Sequence, residues 1–253
     1  MNTSNNIIVT ACNSPYFESL LTLISTCHKY SMDTVNQIFV YNLGLDTQEI
    51  NRLESMKNVT VLNFSEETKN SHPKFMEPKS YVYKTYCLYD SRQYGNNVLW
   101  VDSGAAFLKS IKIIFDTIDS DHVFLVRDTH RNIDYTHTEC RQKMNASESE
   151  LNDNQLWAGL IGYKSDGRFQ SMIDEAYKYA MIPGCLDGNQ ENHRHDQSVI
   201  SILASRYSAP TQDIDIYGYW TDANRNLEKA LEIGSVVFAH RRGYSNSGDI
   251  VYV

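Results

Sequence analysis

The run Val98-Leu99-Trp100-Val101 is apolar without polar alternation, and it stops abruptly at Asp102-Ser103-Gly104. A strand with one wet face alternates apolar and polar residues. An unbroken apolar run bounded by turn residues reads as a strand buried on both faces, the central position of a parallel sheet. A carboxylate therefore stands where a core strand meets solvent. In open α/β sheets ligands bind at that carboxyl edge, where the loops form a crevice.

The segments around this run repeat strand and helix. Ile7-Ile8-Val9 leads through a loop at Thr10 to Pro15 into a helical pattern from Tyr16 to about Tyr30. Gln37 to Tyr41 and Val59 to Phe64 read as further strands, separated by a short helix from Thr47 to Met56 with Thr47 as its cap. Ser80 to Tyr94 reads as the next helix. Beyond Asp102 follow a strand around Leu156 to Tyr163, a helix Arg168 to Ala180, a Gly/Asn loop, a helix Asp196 to Ser205 and a strand Ser235 to Ala239. Ser65 to Pro78 and Asp128 to Asn154 are polar and lack an apolar period, and so are expected as loops, the second a long surface loop over the sheet edge. Strands separated by helices predict an α/β fold with a parallel sheet covered on both faces. No repeat or linker divides the chain, so a single domain is expected, with residues 1–108 binding one ligand and residues 109–253 completing the site.

Composition narrows the function classes. The chain has 253 residues, 42% of them hydrophobic, enough for one sizeable core. Lys and Arg total 23 against 31 for Asp and Glu, a formal charge of -8, which argues against nucleic acid or an anionic membrane as a partner. Cys12, Cys27, Cys87, Cys140 and Cys185 are odd in number, widely spaced and without a CxxC pair, as expected of reduced core thiols. The polar N-terminus and the short apolar run after it fit neither a signal peptide nor a membrane span, so the expected compartment is cytoplasmic.

Three further clusters carry chemistry. Asp102 reads equally as a ligand-facing carboxylate or as the cap of the following turn; Ser103 and Gly104 let the backbone pass close to a ligand. His193-Arg194-His195-Asp196-Gln197 precedes an apolar helix, and Asp196 serves its N-cap as naturally as it would serve catalysis. His240-Arg241-Arg242 leaves a core strand with an imidazole and two guanidinium groups, a set suited to an anion or a metal-bound diphosphate, or to plain solvation. Trp157-Ala158-Gly159 offers an aromatic and small residues for the floor of a sugar pocket.

The order of these pieces resembles a GT-A fold glycosyltransferase, closest in pattern to the glycogenin-like retaining enzymes of glycosyltransferase family eight, over about Ile7 to Gly243. Thr10, Asn13 and Tyr16 match the layout with which that family contacts uridine, which implies a base over Thr10, Ala11, Asn13 and Tyr16. Lys84 followed by VLWVDSG is similar to the family's Lys-bearing helix and DxD strand, with Gly104 standing where the second Asp belongs. LWAGLIGY, Asp196-Gln197 and His240-Arg241-Arg242-Gly243 follow in the family's order.

The resemblance implies a mixed, mainly parallel Rossmann-like sheet and a nucleotide-binding first half. The acceptor-binding second half would use Trp157, Ala158 and Gly159, and the reaction would transfer a sugar from a UDP-sugar to a hydroxyl of a glycan or glycoprotein. Lys84, Asp102, Ser103, Gly104, Arg241 and Arg242 would face the diphosphate, Asp102 and His240 would hold Mn²⁺ or Mg²⁺, and Asp196 and Gln197 would act at the reacting sugar. The incomplete DxD motif leaves a second expectation, a nonenzymatic nucleotide-sugar or glycan-binding module.

Overall fold

The computed structural model describes residues 4–219 and 227–253. In chain order the elements are β1 (Asn6–Cys12), α1 (Phe17–Ser31), β2 (Gln37–Asn42), α2 (Thr47–Glu54), β3 (Val59–Leu62), α3 (Glu66–Asn70), α4 (Val82–Ser91), β4 (Asn97–Val101) and β5 (Ala105–Phe107). The second part comprises α5 (Lys112–Asp121), β6 (Val123–Arg131), α6 (Thr138–Lys143), α7 (Glu148–Asn152), β7 (Asn154–Lys164), α8 (Gln170–Ala180), α9 (Asp196–Arg206), β8 (Tyr217–Tyr219), α10 (Leu227–Glu232) and β9 (Val237–Ala239).

One sheet has the order β3-β2-β1-β4-β7-β6, parallel through β4 and antiparallel at β7 and β6; a small second sheet has the order β5-β9-β8. This is the mixed, mainly parallel α/β architecture expected. β4 is central and buried at every residue because both of its faces are covered. Val98 and Trp100 join Ile7 and Val9 under α8 and α9, whereas Leu99 and Val101 join Ile8 under α1 and α5. Each such side chain contributes roughly 1.5–3 kcal/mol by leaving water, which fixes the strand that carries Asp102.

Several local expectations change. The cap of α2 is Asp46, not Thr47: its carboxylate accepts from Glu49 N at 2.8 Å while Glu49 reaches back to Asp46 N at 2.9 Å. Ser65 to Pro78 contains α3, capped by Ser65. Asp128 to Asn154 is not a surface loop. β6 runs on to Arg131, α6 and α7 follow, and Asp128, Asn132, Thr136, Cys140 and Met144 are buried. The segment looks polar because polar groups hold it inside: Asn132 Nδ2 donates to Glu150 O at 2.9 Å, and Arg206 pairs with Glu150 at 2.7 Å. All five cysteines are buried and free, and burial pushes Cys12 and Cys27 up to about 12. Among the described residues no helix is long and apolar enough to cross a membrane.

Candidate active site

The β4–β7 ladder continues one step past β4, where Asp102 N donates to Gly159 O at 3.0 Å, and Ala105 N then donates to Asp102 O at 3.0 Å to close the turn. The Asp102 carboxylate is consequently aimed by the strand and half-exposed at its edge. Its Oδ1 accepts from Trp100 Nε1 at 2.8 Å, from the same strand face two residues back, and from Lys84 Nζ at 3.1 Å.

Lys84 joins two carboxylates. Its ammonium lies in the first turn of α4, 3% exposed, 3.0 Å from Asp196 Oδ2 and 5.3 Å above the Trp100 ring. Burial works against the charge, but Asp102 and Asp196 more than offset it, so the pKa of Lys84 lies above the ordinary lysine value. Asp196, the first residue of α9, is fully enclosed; burial raises its pKa and Lys84 opposes that rise. One ammonium between two carboxylates leaves one net negative charge at the edge. The N-cap of α9 is His195, with no side-chain cap bond, and not Asp196, whose carboxylate is engaged by Lys84; its neighbour Gln197 donates from Nε2 to Gln155 Oε1 at 2.9 Å.

Two glycines explain how close the backbone comes. At Gly104 the constraint is space: a Cβ would stand 2.8 Å from Arg241 Cα and 2.9 Å from Arg241 O, and Arg241 N donates to Gly104 O at 2.7 Å. An aspartate at position 104 would force the main chain apart, so the missing second acid of the motif follows from how this turn packs. At Gly159 a Cβ would collide with the Tyr217 hydroxyl and stand 3.1 Å from Asp102 Oδ2. Trp157 rests on Tyr217 with ring centroids 5.8 Å apart, and Ala158 is buried in the core on the opposite face of the sheet.

Tyr217 is the residue that sequence reasoning missed. It lies in a three-residue strand after a polar stretch, with no periodic signal, and only its position over Gly159 marks it.

The basic C-terminal segment reaches the same turn through the small sheet, where Ala105 pairs with Ala239. His240 is fully buried, and Phe238 and Tyr244 have ring centroids 6.4 and 5.7 Å from its own. Neither of its ring nitrogens makes a well-formed hydrogen bond; burial lowers its pKa to about 4, with only a weak backbone contact at Ala105 opposing. The imidazole is therefore neutral at pH 7, the form that binds metals. Arg241 adopts φ 57 and its carbonyl accepts from Ser19 Oγ at 2.8 Å, while Arg242 lies 5.2 Å over the Tyr16 ring.

Tyr16 and Asn13 are at the surface of the β1 edge, but Thr10 and Ala11 are buried, Thr10 with a hydroxyl that has no partner. The Ser103 hydroxyl reaches the Cys12 thiol. The structure thus brings Asp102, Lys84, Asp196 and Gly159 to one point, and ties Gly104, Arg241, Arg242 and Tyr16 into an adjoining rim.

The Asp102 carboxylate is half-exposed at the edge, whereas both ring nitrogens of His240 are buried. Among the described residues no group of three or more His, Cys, Asp or Glu side chains could hold a metal. A hard cation held by Asp102 and His240 would need substrate oxygens and water to complete its shell of about six ligands.

No family model matches this sequence, and no curated protein does. Among solved structures, the chain is similar to the apo structure of the bifunctional glycosyltransferase WbbM, with a TM-score of 0.63 and 14% identity over 98% of this chain and 48% of that one. It thus spans about half the length of WbbM. The apo structure of mouse xyloside xylosyltransferase 1 superposes with a TM-score of 0.56 and 8% identity over 93% of this chain and 97% of that one. The fold is the GT-A glycosyltransferase fold.

Proposed function

We propose that this chain transfers a sugar from a nucleoside-diphosphate sugar, a UDP-sugar on the layout of Asn13 and Tyr16, to a hydroxyl of a glycan or glycoprotein acceptor. The observation that carries this reading is the Asp102–Lys84–Asp196 unit, with contacts of 3.1 and 3.0 Å, at the carboxyl edge of the central strand of a GT-A fold. The reaction breaks the bond between the anomeric carbon and a diphosphate oxygen, so the protein has chiefly to stabilise the negative charge that develops on the leaving group.

Arg241 and Arg242 stand at the rim where the diphosphate would lie, against Gly104 and Tyr16. Asp102 and His240 would hold Mn²⁺ or Mg²⁺. When bound, the cation neutralises diphosphate charge. Lys84 keeps Asp102 and Asp196 at a fixed separation and counters their repulsion. Asp196, made more basic by burial, would take the acceptor proton in an inverting reaction; in a retaining one it and Gln197 would contact the donor sugar.

One observation favours a binding module instead: the packing of Gly104 on Arg241 excludes the second motif acid. Release of UDP from a panel of UDP-sugars, compared between the native chain and Asp102→Ala, separates the two. Transfer predicts turnover that falls at least a hundredfold in the variant, whereas no turnover by the native chain, or equal turnover by both, contradicts it.

A further inference from the structure

Helix α6 is fastened to the connector that joins α8 to α9, residues 181–195. Lys143 Nζ lies 2.6 Å from Glu139 Oε1 and also donates to Pro183 O, so one ammonium ties the helix to the connector. Gly184 comes next, at φ 86, where a Cβ would collide with the Glu139 carboxylate and stand 2.6 Å from Lys143 Nζ. The absent side chain lets the following residue, Cys185, meet Cys140 of α6, whose thiol donates to it. Both cysteines are fully buried in one apolar cluster with Met144 and Leu186, and Cys140 Sγ lies 3.7 Å from Met144 Sδ.

The same connector aims α9. Cys185 O accepts from His193 Nε2 at 2.9 Å, and Leu186 O accepts from His195 Nδ1 at 2.7 Å. His193 stacks on His137, the residue before α6, with ring centroids 4.3 Å apart, and His195 immediately precedes Asp196. A displacement of Cys185 is therefore passed to the start of α9. The hydrogen bond from Cys140 lowers the pKa of Cys185 against its burial, and the Lys143 ammonium adds to the lowering. Burial instead pushes Cys12 and Cys27 up to about 12 and Cys87 well above its ordinary value. The thiolate is the reactive form, so Cys185 is the cysteine set to react first. Residues 187–192 beside it are exposed, so a local opening of the connector admits a molecule of about the size of water.

We propose that Cys140 and Cys185 form a peroxide-oxidisable pair, and that their disulfide clamps α6 to the connector leading into α9 and Asp196. The oxidant is hydrogen peroxide. The Cys185 thiolate attacks one peroxide oxygen, which gives a sulfenic acid and releases hydroxide. Cys140 then gives up its proton and attacks Cys185 Sγ, which forms the disulfide and displaces the second hydroxide. The protons from the two thiols convert both hydroxides to water, so two thiols lose two electrons to one peroxide. The clamp is independent of the sugar-transfer reading, since it needs only the two thiols and the connector.

The test treats the native chain with hydrogen peroxide, blocks the remaining thiols, and maps the tryptic peptides by mass spectrometry. A peptide pair joined through Cys140 and Cys185 should appear and should vanish after dithiothreitol. The oxidised chain should melt at least about 5 °C higher than the reduced one, because the bridge closes a long loop, and the amides of residues 186–194 should exchange at least tenfold more slowly. Cys140→Ala and Cys185→Ala should each lose both effects, whereas Cys27→Ala should keep them. No Cys140–Cys185 link in the native chain, a link between another pair, or a linked chain whose melting and exchange match the reduced one would overturn the proposal. Because the link is read in the native chain, the test does not depend on the alanine variants folding.

Discussion

The strands that carry the first half of the site and the segments that complete it are built by different means. From β1 to β4 the chain repeats buried strand and covering helix, and each site residue sits where a strand ends: Asn13 after β1, Asp102 after β4. In the second half the sheet turns antiparallel, and Gly159 and Arg241 reach Asp102 and Gly104 by close backbone approach from β7 and the segment after β9, with the Tyr217 hydroxyl of β8 set against Gly159. Hydrophobic periodicity positions the first group, and packing without side-chain volume positions the second. Lys84 and Asp196 join the two halves.

Removing that join gives the largest expected effect. Lys84→Met leaves two carboxylates facing each other, one of them fully buried, and we expect a loss of about 3 kcal/mol in urea unfolding. Lys84→Met/Asp196→Asn should recover much of it, because the buried charge goes as well. A double variant as unstable as the single one would mean that the ion pair is not what couples the halves.

Gly104→Asp turns the DSG sequence into DSD and tests the packing of the second half directly. We expect a loss on the order of 2–3 kcal/mol from the collision with the Arg241 backbone, and no tighter Mn²⁺ binding by calorimetry. A stable variant with stronger Mn²⁺ binding would show that the turn yields easily.

Acidification acts on both halves, because burial lowers the pKa of His28 on α1 as well. His193 and His240 both belong to the second half, and burial lowers their pKa values to about 3 and about 4. The unfolded chain, with histidine pKa near 6.5, binds more protons in this window. Stability should therefore be full above pH 6.5 and fall as pH drops toward 4, by about 2 kcal/mol per histidine at pH 5. His240→Gln should remove one histidine's share of that slope in thermal unfolding between pH 7 and 5, and an unchanged slope would mean the imidazole is already protonated or exposed.

The smallest effect belongs to the first half. Asp46→Ala removes the capping box of α2 and should cost about 1 kcal/mol in thermal unfolding.

The same contrast decides what is legible in the sequence. β1 to β4, α1, α8 and α9 show in apolar periodicity, and Asp102 shows as the charge that ends a core strand. Tyr217, β5 and β6 do not, because short strands carry too few residues to establish a period, and β6 ends in polar residues satisfied by neighbours distant in sequence. The segment from Asp128 to Asn154 misleads for that reason: Asn132 and Glu150 are polar yet lie inside. The pairing of Lys84 with both carboxylates is equally hidden, since 18 residues separate it from Asp102 and the other partner lies on a different helix.

A nucleotide-sugar site at the Asp102 edge is the centre of the proposed function. Its most direct test is the melting temperature of the native chain and of Asp102→Ala with UDP, GDP and their sugars, with and without Mn²⁺. A ligand at a hundred times its dissociation constant should stabilise the native fold by about 2.7 kcal/mol. A shift with UDP or a UDP-sugar that is lost in Asp102→Ala is the expected result, and no shift with any nucleotide, or an equal shift in the variant, would contradict it.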